Sequence, residues 1–392
     1  MNAATSSLFS QLLSLIDRHH FSKLVKETDS EKNAKGFSSW DHFVSMLFFQ
    51  KAQAKSLREI TAGLHSCEGK LKHLGMQSAP SRSTLSYANA HRTAALFEKL
   101  FYHTLGTVTP HAPKKKFKFK SKLLSLDSTV LELCASVFDW AKYRTTKGAA
   151  KMHLLLDHDG HLPHYAVITE GNVADVTIAQ QLPLPKGALI VMDRGYNDYQ
   201  MFSQWTTQGI GLVTRFKSNA CWHNIEELPI RKNTNILRDT RGKFFTFDKK
   251  KQIPTEFRRV TVWIEEKKEK MELLTNRFDL SATTIAEIYK QRWQIELFFK
   301  AIKQNLRIKT FVGTSKNALS IQIWTALIAM LLLKLLQFRS RVDWSLSNLV
   351  ALLRWNLFTH KHLWKWIDEP LTPPPEPPPG TLVQLELDSI RN

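Results

Sequence analysis

The chain has 392 residues, 43% of them apolar, enough for two or three domains with buried cores and too many apolar residues for a disordered polymer. Fifty-five Lys and Arg face 35 Asp and Glu, a formal net charge of +20, and a field of that sign selects a phosphate backbone or, less well, an anionic membrane surface. Three scattered cysteines, Cys67, Cys134 and Cys221, form no C-x-x-C pair. They support neither a disulfide framework nor a zinc knuckle, and fit a reducing cytoplasm.

Residues 4–105 read as helical, from apolar spacings of three and four such as Leu8, Leu12, Leu13, Ile16 and Phe43, Met46, Leu47. Ser56 and Glu59 have the spacing of a capping box. Pro80 to Leu85 opens a further helix running towards Leu105, and the two segments together look like a helix-turn-helix. Its first turn carries Ser81, Arg82 and Ser83, residue types suited to DNA phosphates or base edges at an anion-favouring helix start. A plain capped hairpin accounts for the same pattern. Residues 1–105 are therefore expected to be a helical N-terminal DNA-binding domain. Gly106, Pro110 and Pro113 then predict a linker, and the charge–ring alternation of residues 114–120 predicts an edge strand.

Strands follow. Leu123 to Leu126 ends in Asp127; residues 152–156 and 163–169 flank an Asp-Gly turn and read as a hairpin; Ala188 to Met192 ends in Asp193; residues 211–216 follow a helix near 198–208. Residues 219–276 read as a β-rich insertion. A long amphipathic helix is expected from about 282 to 304, an apolar helix at 319–338 and another near 345–358. The apolar helix carries Lys334 at its centre, which is costly in a bilayer, and is read as a core helix. The tail, residues 369–392, is proline-dense and reads as polyproline or disordered.

Asp127 and Asp193 both stand at strand ends, where clefts form in α/β sheets, although an acid there often serves only as a cap. On the long helix, Tyr289, Arg292, Glu296 and Lys303 fall within about 60° of one another. A solvated face laced with ion pairs would show the same charges.

These residues carry a resemblance. Tyr289-x-x-Arg292-x-x-x-Glu296 with Lys303 resembles the Y-R-E-K signature of the insertion-sequence-4 group of DDE transposases. Leu124 to Thr129 is similar to that group's first-aspartate strand, Lys147 to His153 to its K-G-x-x-K-x-H segment, Gly171 to Asp175 to its G-N-x-x-D turn, and Asp193-Arg194-Gly195-Tyr196 to its D-R-G-Y. The resemblance implies an α/β fold: a ribonuclease H-like mixed sheet flanked by helices, its halves at 121–218 and 277–368 separated by the β-rich insertion. It implies a metal-dependent transposase in which Asp127, Asp193 and Glu296 hold two Mg²⁺ or Mn²⁺ ions. Tyr289, Arg292, Lys303 and Arg194 would contact double-stranded DNA at the terminal inverted repeats. The active species would be a homodimer on DNA. Trp222 and Trp263 are candidates for holding an extruded base, and His153 is read as structural. A nuclease without strand transfer, or a silent DNA-binding relative, are the rival outcomes.

Overall fold

The structure, a computed structural model, describes residues 6–371 apart from 33, 116, 118, 134–141, 145–146, 233, 246–251 and 309. The N-terminal stretch forms α1 (Leu8–Leu13), α2 (Arg18–Glu27), α3 (Ser39–Ala52), α4 (Leu57–His65), α5 (Arg82–His91) and α6 (Ala95–Val108). Ser56 caps α4, accepting from the Glu59 amide at 3.2 Å, but the Glu59 carboxylate reaches back past it to the Lys55 amide at 2.9 Å, so the expected capping box is only half made.

The helix expected from Pro80 towards Leu105 is two helices. Arg92 is extended, and its guanidinium donates to the carbonyls of Phe37 and Ser38, the latter at 2.8 Å. Asn317 donates to the carbonyls of Asn89 and Arg92 and accepts from the Ala94 amide. These distant partners satisfy the groups a break exposes. Gly106 lies inside α6 and breaks nothing. The expected edge strand at 114–120 does not form among the described residues. Phe117 and Phe119 instead stack at 5.1 Å and pack beside the sheet core, so the alternation reflects two anchored rings rather than a ladder.

The strands are β1 (Leu123–Leu133), β2 (Lys142–Arg144), β3 (Lys147–Asp157), β4 (Leu162–Glu170), β5 (Leu189–Met192), β6 (Gly211–Arg215), β7 (Trp222–Glu227), β8 (Ile236–Phe244), β9 (Phe257–Ile264) and β10 (Glu269–Thr275). Between them lie α7 (Asp175–Ala179) and α8 (Tyr199–Thr207). All ten share one sheet. Its first half runs β4-β3-β1-β5-β6, with β3 antiparallel to β1 and with β1, β5 and β6 mutually parallel. That order and mixture of directions is the ribonuclease H-like arrangement. The β-rich stretch from β7 to β10 continues the same sheet, because β10 pairs antiparallel with β6. Phe247, at the end of one expected strand, lies outside the described residues.

The remaining helices are α9 (Ala282–Gln291), α10 (Trp293–Asn305), α11 (Lys316–Arg339), α12 (Leu346–Asn356) and α13 (Leu363–Asp368), the last unanticipated. The expected long helix is interrupted at Arg292. Its cause lies in the packing: Ile285, Ile288 and Tyr289 of α9 join the sheet core with Val191 and Val213, whereas Ile295, Phe299 and Ile302 of α10 join the helical core. One apolar stripe thus serves two cores. Lys316–Arg339 is long and apolar enough to cross a membrane, but 89% of its apolar window is buried inside the protein, as the core-helix reading expects. It packs with α3, α6 and the β3–β4 face in a core shared by the N- and C-terminal helices. The proline-dense tail lies beyond the last described residue.

Candidate active site

The site begins with register. β1 and β5 are parallel neighbours with Leu126 opposite Met192, so the next residues, Asp127 and Asp193, lie side by side across strands about 4.8 Å apart. Side chains alternate along a strand. Leu124, Leu126, Ile190 and Met192 enter one core, while Leu123, Leu189 and Val191 enter the core that holds α9. Both aspartates continue the second set and face the side on which α9 lies. The Asp193 carboxylate accepts from the Gly195 amide, and its carbonyl accepts from the Thr214 hydroxyl at 3.1 Å, fixing the turn that follows β5.

The kink supplies the third acid. Arg292 stands at the α9–α10 junction, with one guanidinium nitrogen 2.6 Å from the Glu296 carboxylate and another 3.7 Å from Asp127. The side chains are largely sheltered, at 18%, 33% and 22% exposure. Arg292 therefore bridges the helix acid and the strand acid. Asp127 feels three opposing influences. Burial pushes its pKa up, the Ser128 amide and Arg292 pull it down, and the negative charges of Asp193 and Glu296 push it up again, to about 6 overall. The three carboxylates thus share one electrostatic neighbourhood, although among the described residues no three acids or histidines are gathered at metal-ligand spacing.

The other signature residues take distinct places. Tyr289 is 8% exposed, beside the Arg292 guanidinium, and burial raises its hydroxyl pKa. The Lys303 ammonium donates to the Val130 carbonyl at 3.2 Å, tying α10 to β1. Arg194 is exposed in the turn after Asp193. Trp293, next to Arg292, is 54% exposed. Trp222 packs on Phe216 and Phe244 and so serves the core, while the Trp263 indole donates to Glu265 at 2.6 Å. Ser81, Arg82 and Ser83 are exposed at the start of α5, where the Ser81 hydroxyl accepts from the Thr84 amide as the cap.

Behind Asp127 lies a support whose roles the motifs alone did not reveal. Asp175, from the G-N-x-x-D turn, lies 3.4 Å from the Lys151 ammonium and 3.2 Å from His153 Nδ1. Burial would raise its pKa, but hydrogen bonds from His153 and Ser128 and the Lys151 charge prevail and hold it at about 2. His153 is 2% exposed and its other nitrogen meets the Thr169 hydroxyl at 2.9 Å, a structural role as expected. The K-x-H and G-N-x-x-D motifs were the available signal; the structure joins them by packing the start of α7 against β3.

A mixed ribonuclease H-like sheet that presents acids from adjacent strands and a following helix defines a polynucleotidyl-transfer class of enzyme. Comparison with known proteins agrees: residues 118–332 match the family described as Transposase DDE domain, and residues 4–77 match a domain of unknown function. The chain belongs to the DDE transposase family, of the insertion-sequence-4 type, and is a DNA-cleaving, DNA-transposing enzyme. It is 30% identical over 73% of its length to a protein of Sinorhizobium fredii named as transposase y4zB, covering 80% of that protein. It is also 30% identical, over 60% of this chain and 62% of the relative, to the protein named as transposase of insertion sequence element IS5377 from Geobacillus stearothermophilus. It is 29% identical, over 65% and 71%, to that named for element IS4SA from Synechocystis. Enzymes of this family generally use divalent metal ions.

Proposed function

We propose that Asp127, Asp193 and Glu296 hold two divalent cations, Mg²⁺ or Mn²⁺, and that this site performs cut-and-paste transposition of double-stranded DNA. The observation that supports it most is the register of β1 on β5, which sets Asp127 beside Asp193 on the side to which the kink brings Glu296. The donor set fits hard cations: three carboxylates, with Asp127 raised first by burial and further by the charges of Asp193 and Glu296, and with Arg292 as the cation paired to Asp127 and Glu296. Bound there, such a pair supplies an activated hydroxyl nucleophile and stabilises the leaving oxygen.

The chain's own residues do the rest. Arg292 gives up the carboxylates and offers a bidentate fork to a phosphate. Tyr289 orients that fork, Lys303 anchors α10 while adding positive charge beside the cleft, and Arg194 reaches DNA from the turn after Asp193. Ser81, Arg82 and Ser83 contact the same terminal inverted repeat away from the cut. Water attack frees a 3′-hydroxyl, and that hydroxyl attacks phosphodiesters in turn, ending in joining to target DNA. Joining two ends requires two sites, so the working species is a homodimer on DNA, acting in the cytoplasm at the nucleoid.

The test is incubation of the protein and Mg²⁺ with a duplex carrying the inverted repeats that flank its gene, plus a target duplex. Strand-joined product is expected from the wild type. Cleavage without joining would assign a simple nuclease. Asp127→Ala, Asp193→Ala and Glu296→Ala should each retain DNA and cut nothing; persistent cutting would refute the assignment.

A further inference from the structure

We propose that α5 enters the major groove of duplex DNA and reads bases through Tyr87 and His91, with cations on both sides of it gripping the two phosphate backbones. The inference rests on the DNA-binding reading above and adds the residues and geometry of recognition.

α5 is a ridge. Leu85, Ala88 and Asn89 bury one side of it, while Arg82, Ser83, Ser86, Tyr87 and His91 stand exposed on the other. Ten residues make a rod of about 15 Å, and the major groove, about 12 Å wide, admits one helix. Tyr87 is 67% exposed, unusual for a ring of that size, and stacks on His91 with centroids 4.1 Å apart and planes at 21°. This i, i+4 stack holds both rings in one orientation on the outer face of the helix. A fixed ring edge carrying a hydroxyl and an imidazole nitrogen can touch a thymine methyl and accept or donate to base edges.

Two concavities flank the ridge. One, of about 1010 Å³, lies between α5, the start of α4 and the segment after α10; Lys55, Arg58 and Arg82 line it. The other, of about 720 Å³, lies between α5 and the loop after α2; Lys32 and Lys35 line it, with Asp29 the one acid among the described lining residues. Tyr87 and His91 border both. None of these five exposed cations is in a salt bridge among the described residues. A duplex presents two backbones, one on either side of the groove that a helix fills, and this is the charge pattern here. A single strand presents one backbone and would leave one bank of cations unused. The first groove also includes Phe311 to Thr314, directly beyond the helix that carries Glu296, so DNA held there is held by both the N-terminal helices and the segment leaving the site.

The experiment is selection by the full-length chain from a pool of duplexes with a randomised central segment, with a single-stranded pool as competitor, at several salt concentrations. Wild type should enrich a duplex consensus. The Tyr87→Ala/His91→Ala variant, altered only at exposed positions and checked by an unchanged melting temperature, should bind the pool but lose roughly 5- to 100-fold of its preference for the consensus. Tyr87→Phe should keep the stack and its apolar contact, and lose only the part of the preference that the hydroxyl supplies, so its loss should be smaller than that of the double variant. Lys55→Ala/Arg58→Ala should weaken all sequences alike and reduce the salt slope by about one per cation removed. An unchanged consensus in the Tyr87→Ala/His91→Ala variant would overturn the inference while leaving DNA binding intact. A stronger wild-type preference for the single strand would also overturn it. No retention of any duplex at low salt would instead sink the DNA-binding reading itself.

Discussion

Asp127 shows what the site costs. Its carboxyl loses water on burial and faces two further acids, so its pKa stands near 6 against an ordinary 3.8. The sign follows directly: the folded state holds this proton more tightly than the unfolded chain, so at pH above 6 ionised Asp127 works against folding. Asp127→Asn is therefore expected to stabilise the metal-free protein at pH 8 by about 1–3 kcal/mol, with the gain vanishing below about pH 4. Urea unfolding in EDTA at both pH values measures it; a destabilised variant at pH 8 would contradict the account. The three acids were legible from an apolar run before each aspartate and from a helix face that sets a cation four residues before Glu296. Only Asp193 stands at a strand end, however: β1 runs on past Asp127 to Leu133 in its pairing with β3, so the expected strand end there is not one. The Asp175, His153 and Lys151 support was marked only by its motifs and not by its roles, since its members meet between β3 and the start of α7, a contact that no local periodicity encodes.

At the scale of elements, the departures from sequence expectation share one cause. The break after α5 is held by Arg92 and Asn317, and the interruption at Arg292 coincides with a change of core, α9 packing on the sheet and α10 among the helices. Helical periodicity reports which residues want burial but not that their partners lie on two bodies. The β3–β4 hairpin, in contrast, was legible from its turn chemistry. Gly160 has φ +66°, and a Cβ there would stand 2.7 Å from the Phe338 ring and 2.9 Å from the Ala112 methyl. Gly160→Ala combines backbone strain with overlap against α11, and about 2–4 kcal/mol of lost stability is expected by thermal or urea unfolding. An unchanged midpoint would mean that this turn does not dock on α11 as described.

Across the described residues the molecule is one ten-stranded sheet beside a core built from the N- and C-terminal helices. The α/β class was legible from strand–helix alternation and the ribonuclease H-like topology only through the family resemblance, while the extension of the sheet through β10 was not legible, because pairing between strands far apart in sequence leaves no local mark. Neutral histidines are buried through this body. His42, against Asn89 and near Arg92, is held near pKa 4 by burial; His158, against Ser125 and near His161 and Lys115, near 3; His161, near Lys334 and Lys115, near 4. Each pKa is depressed below 6.5, so the unfolded chain binds protons that the folded one refuses. Stability should fall by several kcal/mol as pH drops from about 6.5 to 4, with Asp127 offsetting part of the loss. A stability curve that is flat or rising across that interval would contradict these placements.

The central claim is that the two strand acids and the helix acid share a pair of cations. Titration of the protein with Mn²⁺, followed by electron paramagnetic resonance of the free ion, counts the bound ions directly. Two sites are expected per wild-type chain, with at least one lost in each of Asp127→Ala, Asp193→Ala and Glu296→Ala; two sites of unchanged affinity in a variant lacking all three acids would contradict the account.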